Sequence, residues 1–372
     1  SGGANARTLG APRQHLAPGR CVTEGGITID CEVSALPDCH MQLEALVDRL
    51  DSECGCLFES SYEFPGRYAR WTMGFVSPPV VLEAWGRKFA LRALNKRGLA
   101  MLPLLEKELK LLPALASLAR EGDGAKLCGV VKEAEAGFAE EERSRQNSIF
   151  SVVRAIQALF AHKDDPQLGL YGAFGYDLTF QFEPVKLKQS RDPKQRDLVL
   201  YIPDEILVID ILSNAAWRLS YEFSAAEGGA EGGAASTLGL AREGEVLPYE
   251  PAPASSMKRT RDHDAGAFAK KVDRAKEEFK VGNLFECVLS QTFYEPCAQP
   301  PSEVFRRLRR RNPSPYGFLI NLGEREYLVG ASPEMFVRVE KNERGWRCET
   351  CPISGTIRRG KDAIEDAEAI KQ

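Results

Sequence analysis

The chain has 372 residues and a formal charge of −4, and its 43% hydrophobic and 27% charged residues are typical of a folded globular protein. This length excludes a disulfide-stapled miniprotein, and the small net charge excludes a strongly basic nucleic-acid binder and a disordered acidic tail. No stretch approaches the roughly 18 consecutive apolar residues that a membrane-spanning helix needs. The ten cysteines have no regular spacing. We therefore expect two or three domains, no membrane segment and a reducing compartment, either the cytoplasm or, in a photosynthetic eukaryote, a plastid.

The first half of the chain mixes strand and helix signals without regular alternation. Residues 1–20 combine Gly, Ala, Pro and Arg, which predicts a flexible lead-in and not a signal peptide, because no apolar core follows the charges. Aromatic and β-branched residues interrupted by Pro and Gly predict a meander of short antiparallel strands over 56–93. The further elements predicted in this half are helices over 99–120 and 143–161 and strands over 168–176 and 205–212.

The second half begins after a change of composition. Residues 224–261 are rich in Gly, Ala, Ser and Pro and offer almost nothing to bury, which predicts a linker or long loop. The final helical run reaches Gln372 without a stop signal, so we interpret the chain as a piece of a longer one. The elements predicted beyond the linker are a helix over 264–281, a strand over 284–294, a short helix around Val304, Phe305 and Leu308, a hairpin of strands over 316–322 and 326–329, and a helix from 361.

Several short patterns have an ordinary structural interpretation. Cys348 and Cys351 have the CxxC spacing, but no second pair supplies the four ligands of a structural zinc site. The stretch 172–175 lacks the third glycine and the following helix of a dinucleotide-binding loop. The four histidines accompany no nucleophile motif, so a hydrolase triad is not supported.

Three other segments carry more information about chemistry. Glu286 lies in an otherwise apolar predicted strand, where burial would raise the pKa of its carboxyl towards the range of a general base. The alternative is a Glu on the exposed face of an edge strand. Glu334 follows a strand directly, and the small-residue turn over 352–356 could bring backbone N–H groups close to an anion.

Taken together in this order, these segments resemble the chorismate-utilising enzymes, and most closely the large subunit of anthranilate synthase. The resemblance implies an α+β fold, a layered α/β sandwich with a mixed, largely antiparallel sheet that is truncated here at its C-terminus. The segments that carry it run from Cys56 to the end: Leu57-Phe58-Glu59-Ser60, Tyr171 to Asp177, Gly282 to Gln291, Asn312-Pro313-Ser314-Pro315-Tyr316, Gly330 to Glu334 and Pro352 to Gly360.

The resemblance implies a reaction in which ammonia adds at C2 of chorismate as the C4 hydroxyl leaves, after which pyruvate is eliminated to give the aromatic product. Glu286 stands where water-adding relatives carry a lysine base, which favours ammonia over water as the nucleophile. Ser354 stands where folate-pathway relatives carry a lysine nucleophile, and serine cannot form that amine-linked intermediate. Gly355, Thr356 and Glu334 correspond to residues of the family's substrate pocket.

The same resemblance implies a tryptophan site away from the active site in feedback-regulated members. Its first segment contributes Glu59 and Ser60, and its second contributes Pro315 and Tyr316, which can wall an indole. Gly317 departs from the methionine that is usual there. Arg70 could neutralise the carboxylate of the effector.

The expected organisation is a flexible lead-in over 1–20, a tryptophan-binding regulatory half over 21–223, a linker over 224–261, and an incomplete chorismate-binding domain over 262–372. The family uses Mg2+, whose ligands we expect beyond Gln372. Ammonia is expected from a glutamine amidotransferase domain or subunit, and the fragment alone is expected to be inactive. No nucleic acid or membrane partner is expected, and the sequence leaves homo-oligomer formation open.

Two other functions stay open at this point. The Gly-Asn-Leu-Phe-Glu wording that ends at Glu286 resembles the subgroup in which the synthase is fused ahead of its glutamine amidotransferase. Phenazine-pathway aminodeoxyisochorismate synthases share that wording and would release a non-aromatic product. A non-catalytic tryptophan-binding or scaffold protein would retain only the first half of the resemblance.

Overall fold

A computed structural model describes most of the chain in two compact units. The described residues are 19–61, 71–134, 140–162, 165–183, 185–188, 190–225, 235–253, 260–342, 345–353 and 355–371. Those within 1–249 and 301–331 form the first unit, and those within 250–300 and 332–372 form the second. The sequence placed 262–372 in one domain, whereas the structure assigns the middle of that range to the first unit. No helix of the described residues is long and apolar enough to cross a membrane.

The first unit consists of two antiparallel sheets and four α-helices. Its strands are β1 (Gly19–Val22), β2 (Ile27–Leu36), β3 (Gly55–Glu59), β4 (Trp71–Val76), β5 (Val80–Trp85), β6 (Lys88–Ala93), β7 (Leu115–Glu121), β8 (Lys126–Val131), β9 (Tyr171–Phe174), β10 (Leu198–Ile202), β11 (Glu205–Asp210), β12 (Ala215–Ala225), β13 (Tyr316–Asn321) and β14 (Tyr327–Ser332), which ends at the boundary to the second unit. Its helices are α1 (Cys39–Arg49), α2 (Lys96–Lys110), α3 (Ile149–Phe160) and, after a helix of the second unit, α5 (Pro301–Arg311), with 3-10 turns over Glu140–Arg145 and Tyr176–Gln181.

The strand order confirms the antiparallel α+β fold. The eight-stranded sheet runs β1-β2-β12-β11-β4-β3-β13-β14 and the six-stranded sheet runs β7-β8-β6-β5-β10-β9. The register of β3 against β13 pairs Glu59 with Gly317 and Leu57 with Leu319, although these residues lie more than 250 positions apart in the sequence. A strand from near the start of the chain is therefore joined to one that the sequence assigned to another domain.

Three apolar clusters show how the layers pack. The largest joins one face of both sheets to α2 and α3, which bury residues such as Met101 and Ile156. A second cluster lies between the two sheets and includes Cys56 and Ile320. The third covers the other face of β3 and β13, where α1 and α5 pack and Phe305 is buried. The β3–β13 pair is thus covered on both of its faces.

The second unit is smaller and contains less buried surface. It holds α4 (Ala267–Lys280), the hairpin of β15 (Met335–Asn342) and β16 (Gly345–Cys351), and α6 (Ala363–Lys371). Neither α4 nor α6 contains a buried residue among those described. The helices predicted over 264–281 and from 361 are confirmed by α4 and α6.

Several predicted elements match the structure closely. The meander over 56–93 is confirmed by β3 to β6 on either side of residues 62–70, which lie outside the described part of the chain. The helix over 143–161 corresponds to α3, and the strands over 168–176 and 205–212 correspond to β9 and β11. The hairpin is formed by β13 and β14, and Glu324 in its turn adopts a φ of 52°.

Other predictions about the elements are wrong. The helix over 99–120 ends at Lys110 and is followed by β7, because the Leu- and Ala-rich residues after Pro113 pair with β8. Residues 284–294 form no strand in the structure, and only Phe293 makes an isolated bridge, to Arg261. Without a partner ladder, an apolar stretch with strand composition has no reason to become a strand.

The predicted linker is also more structured than its composition indicated. β12 extends to Ala225, and Thr237 is buried and donates its backbone N–H to the carbonyl of Phe223. The fully buried guanidinium of Arg97 in α2 donates to the carbonyls of Thr237 and Leu240. Residues 235–242 are therefore fastened to the first unit by polar contacts, which hydropathy does not reveal.

Candidate functional site

The structure brings together the two segments that the sequence assigned to an effector site. The β3–β13 ladder places Glu59 opposite Gly317. Beyond the ladder, Ser61 donates its backbone N–H to the carbonyl of Ser314 at 3.0 Å, and Ser314 returns its N–H to the Ser61 hydroxyl at 3.1 Å. Ser60 and Pro315 are buried at this junction. Their proximity therefore comes from sheet pairing and not from flexible loops.

The alternation of side chains along a strand divides these residues between two faces of the sheet. Leu57 packs with Phe305 of α5, and Glu59 lies two positions further on the same face. A Cβ at Gly317 would lie 3.8 Å from the Phe305 ring, which places position 317 on that face as well. Phe58 instead packs towards the other sheet. Tyr316, one position before Gly317, belongs to the face between the sheets.

The carboxylate of Glu59 is already paired on the helix side. Arg309 of α5 donates from Nη1 to the two Glu59 carboxylate oxygens at 3.1 and 3.4 Å. The other terminal nitrogen of Arg309 donates to Glu44 of α1 at 2.9 Å. Glu44 also accepts a hydrogen bond from Arg306 at 2.7 Å. One guanidinium thus bridges a strand and a helix.

Burial and pairing act in opposite directions on the two carboxylates. The Glu59 side chain is only 10% exposed, and this burial raises the pKa of its carboxyl although Arg309 opposes the shift. Burial also acts to raise the pKa of Glu44, but hydrogen bonds and charges from Arg309 and Arg306 outweigh it and hold that pKa below its ordinary range. Arg309 therefore joins one carboxyl whose pKa is raised to another whose pKa is lowered.

A buried hydroxyl at the junction lacks a partner. Ser314 is 4% exposed, and its Oγ has no hydrogen-bond partner among the described residues. An unsatisfied buried hydroxyl costs about 1–3 kcal/mol, so native proteins rarely retain one without a ligand or water. Arg70, the predicted partner of an effector carboxylate, lies outside the described residues. The junction thus holds a buried hydroxyl, next to Ser61, that no described residue occupies.

The four predicted catalytic residues lie in the second unit and are all exposed. Glu286 is exposed in a stretch that is not a strand, so the burial expected for it is not found. Glu334 follows β14 and donates its backbone N–H to the Ser332 hydroxyl at 3.2 Å. Gly355 and Thr356 are exposed as well. No hydrogen bond or ion pair between described residues joins any two of these four. Ser354 lies outside the described part of the chain.

No metal site is formed by the residues that the structure describes. No group of three or more Asp, Glu, His or Cys side chains among them is arranged to hold an ion. The donor set that Mg2+ requires is therefore not assembled from these residues. The Mg2+ ligands expected beyond Gln372 stay a prediction.

Comparison with known proteins bears on both units. The chorismate binding enzyme family matches residues 116–372, more than half of the chain. The chain belongs to this family. The match begins in the first unit and continues through the second, and it covers β13 and the four exposed residues but not β3.

Related proteins narrow the comparison within the chorismate binding family. The chain is 46% identical to "Anthranilate synthase" of Azospirillum brasilense over 95% of its own length and 46% of that protein. It is 31% identical to "Anthranilate synthase component 1, pyocyanine specific" of Pseudomonas aeruginosa over 81% of its length and 56% of that protein. It is 28% identical to "Anthranilate synthase component 1" of Vibrio cholerae over 83% of its own length and 58% of that protein. The chain spans about half the length of the curated relatives it matches.

The sequence analysis did not identify the ion pairs that join α5 to α1 and β3. Arg309 was not singled out because the run from Arg306 to Arg311 reads as a solvated basic helix end. Arg309 lies three residues after Arg306, which places both side chains on one helix face, and Glu44 and Asp48, four residues apart, likewise share one face of α1. These two faces, one basic and one acidic, were the only indication in the sequence that α5 and α1 could form ion pairs. It becomes informative only once α1 and α5 are known to be neighbours.

Proposed function

We propose that this chain is part of the large subunit of an anthranilate synthase, which converts chorismate and ammonia into anthranilate and pyruvate. The observation that carries the proposal is the 46% identity with the Azospirillum brasilense anthranilate synthase over 95% of this chain. Membership of the chorismate binding family supports chorismate as the substrate. Ammonia is proposed to come from a glutamine amidotransferase domain or subunit.

In this proposal the second unit contributes to the chorismate site. Glu286 orients or deprotonates the ammonia that attacks C2, since a carboxylate near the nucleophile can accept its proton. The backbone at Gly355 and the hydroxyl of Thr356 bind polar groups of the substrate, and Glu334 contributes a carboxylate. Mg2+ is proposed as the cofactor, with its protein ligands predicted beyond Gln372.

The first unit is proposed to carry a regulatory tryptophan site at the β3–β13 junction. Tyr316, on the face between the sheets, and Pro315 supply apolar surface for an indole, and the buried Ser314 hydroxyl supplies hydrogen-bonding capacity at the junction, where Ser60 is buried as well. Glu59 and Gly317 belong to this junction but lie on the opposite face. Support for the site comes from the pairing of the two segments and from the unsatisfied hydroxyl of Ser314.

The activity is tested by product analysis on the complete protein that contains this chain. With chorismate, Mg2+ and ammonium ions, we expect pyruvate and a fluorescent aromatic amine in equal amounts. A non-aromatic amino product without pyruvate would support the aminodeoxyisochorismate synthase alternative. Tryptophan binding without turnover of chorismate in any form would support a non-catalytic regulatory protein.

A further inference from the structure

Helix α5 is fastened to the first unit by charged contacts at both ends. At its start, the Asp51 carboxylate accepts hydrogen bonds from the Ser302 N–H at 2.8 Å and from the Ser302 hydroxyl at 2.6 Å. One turn later, Arg306 donates to Asp48 of α1 at 2.6 Å. Near its end, Arg309 makes the bridge between Glu44 and Glu59. Only the last of these contacts reaches the strand that carries the effector junction.

The end of α5 sets the position of the second effector segment. The helix ends at Arg311, and Asn312 still donates its N–H to the carbonyl of Leu308 at 2.8 Å. Ser314 and Pro315 follow within four residues and are buried. Because so few residues separate the helix from the junction, displacement of the helix end must move this segment relative to β3.

We propose that Arg309 is a positioning residue that locks the end of α5 to β3 and α1, and thereby holds residues 312–316 in the geometry of the effector site. In the same proposal the Glu59 carboxylate acts through Arg309 and does not contact the effector. The choice of tryptophan as the ligand rests on the function proposed above. The bridge itself rests on the contacts between Arg309, Glu44 and Glu59.

The geometry of the bridge favours this role over a direct one for Glu59. The Glu59 carboxylate accepts from Arg309 on the face covered by α5, while Tyr316 belongs to the opposite face. Arg309 uses one terminal nitrogen for each carboxylate, a fork that a lysine ammonium cannot reproduce. The Glu59 side chain is only 10% exposed, so loss of Arg309 leaves a buried carboxylate without its ion-pair partner, whereas loss of Glu59 leaves Arg309 paired with Glu44 alone.

A double-mutant cycle separates positioning from direct contact. The variants are Glu59→Gln, Arg309→Met and the combination of both, and tryptophan affinity is measured by isothermal titration calorimetry on the 372-residue chain. If Glu59 acts only through Arg309, each single change weakens binding by about tenfold and the double variant binds no more weakly than either one. If Glu59→Gln weakens binding equally in the presence and absence of Arg309, Glu59 contacts the ligand and the proposal is overturned.

Two further variants control for charge and for folding. Arg307→Met removes an exposed arginine of the same helix that has no ion-pair partner among the described residues, and we expect unchanged affinity. Arg309→Lys keeps the positive charge but can serve only one carboxylate at a time, so we expect at most partial recovery. Full recovery with lysine would show that charge alone matters and would contradict the bridging geometry.

A measurement without tryptophan tests the bridge independently. Hydrogen exchange of the Ser61 and Asn312 amides reports the pairing of the two segments and the end of α5. We expect faster exchange at both amides in each single variant, with no further increase in the double variant. Unchanged exchange in Glu59→Gln and Arg309→Met would overturn the proposal. If the wild-type chain bound no tryptophan while exchange responded as expected, the regulatory function would fail and the positioning bridge would stand.

Discussion

The two sets of predicted site residues differ sharply in how the structure holds them. At the β3–β13 junction, Glu59 is almost fully buried and ion-paired, and Ser61 and Ser314 exchange hydrogen bonds. In the second unit, Glu286 is exposed, and its neighbour Phe285 is fully exposed. The resemblance to the family predicted both sets of site residues from the same kind of motif. The difference shows that a site acquires defined geometry where strand pairing and helix packing fix its members, and a sequence motif alone does not supply that fixation.

The contrast has a physical origin in the partners available to each segment. β3 finds β13 on one side and β4 on the other, and α1 and α5 cover one of its faces. In the second unit, β15 and β16 pair only with each other, and α4 and α6 bury no residue among those described. The Glu59 side chain and Ser314 in the first unit are therefore buried and positioned, whereas the four predicted catalytic residues of the second unit are exposed.

The largest expected effect concerns Glu286 in the second unit. A loss of activity there would show that an exposed residue of this unit takes part in catalysis. We expect Glu286→Ala in the complete enzyme to lower ammonia-dependent turnover by about 10²- to 10⁴-fold, the usual contribution of an acid–base group, with little change in chorismate binding. Steady-state kinetics with ammonium ions provides the measurement. Glu295→Ala, an exposed carboxylate of the same stretch, serves as the control and should retain turnover. Full activity of Glu286→Ala would remove its assigned role.

The next effect concerns the stability of the first unit. Arg97 is completely buried and pairs with Asp204 and Glu222. Arg97→Met would leave the buried Asp204 carboxylate without its main partner, which should lower the free energy of unfolding by about 3–5 kcal/mol. Urea denaturation of the chain measures this loss. The control Arg120→Met breaks a more exposed pair with Glu106 and should cost less than about 1 kcal/mol. Equal losses in the two variants would refute the importance of burial.

A smaller effect tests the close packing of β13 against β14. A methyl group at Gly330 would collide with the Phe318 ring. We expect Gly330→Ala to lower the free energy of unfolding by about 1–3 kcal/mol, as overpacking typically does. Gly169→Ala is the matched control, because its added methyl would meet only the edge of the Tyr171 ring at 3.9 Å. Denaturation midpoints of the two variants give the comparison, and indistinguishable midpoints would contradict the packing.

The smallest effect is a difference in pH dependence between the two carboxylates of the bridge. The pKa of Glu44 is held below its ordinary value of 4.5, so its contribution to stability is present above that value and is lost as pH falls through the lowered pKa. The pKa of Glu59 is raised, so its contribution to stability is present below the ordinary value of 4.5 and falls as pH rises through the raised pKa.

Urea unfolding at a series of pH values distinguishes these signs. In acid, the free energy of unfolding of wild type should fall more steeply than that of Glu44→Gln, because only wild type loses an ionised Glu44. As pH rises from 4.5 through the raised pKa of Glu59, the free energy of unfolding of wild type should decline by an amount that Glu59→Gln removes. Parallel curves for Glu44→Gln and wild type below its ordinary pKa would contradict the pairing with Arg306 and Arg309.

Much of the first unit was accessible from the sequence because its signals are local. The short strands of the meander, α3, and the turn between β13 and β14 follow from alternation, apolar spacing and glycine placement. The meeting of the segments around Ser60 and Tyr316 was anticipated through family resemblance. Local signals also failed in an instructive way, since residues 284–294 have strand composition but no partner strand among the described elements.

The features missed by the sequence depend on contacts between distant residues. The face occupied by the Glu59 side chain follows from the register that pairs it with Gly317, and no local pattern specifies that register. The bridge from Arg309 to Glu44 joins residues 265 positions apart. Likewise, the burial of Thr237 in a Gly- and Pro-rich stretch depends on Arg97 far upstream. Such polar contacts leave no hydrophobic period in the sequence.

The most direct test of a regulatory first unit is calorimetric titration of tryptophan into the 372-residue chain and into its Tyr316→Ala variant. We predict that the wild-type chain binds one tryptophan saturably. We predict that Tyr316→Ala binds tryptophan more weakly, by up to about tenfold, because an aromatic contact contributes roughly 0.5–1.5 kcal/mol beyond its buried area. Absence of binding to the folded wild-type chain, or equal affinity in the variant, would contradict the assignment of this junction as an effector site.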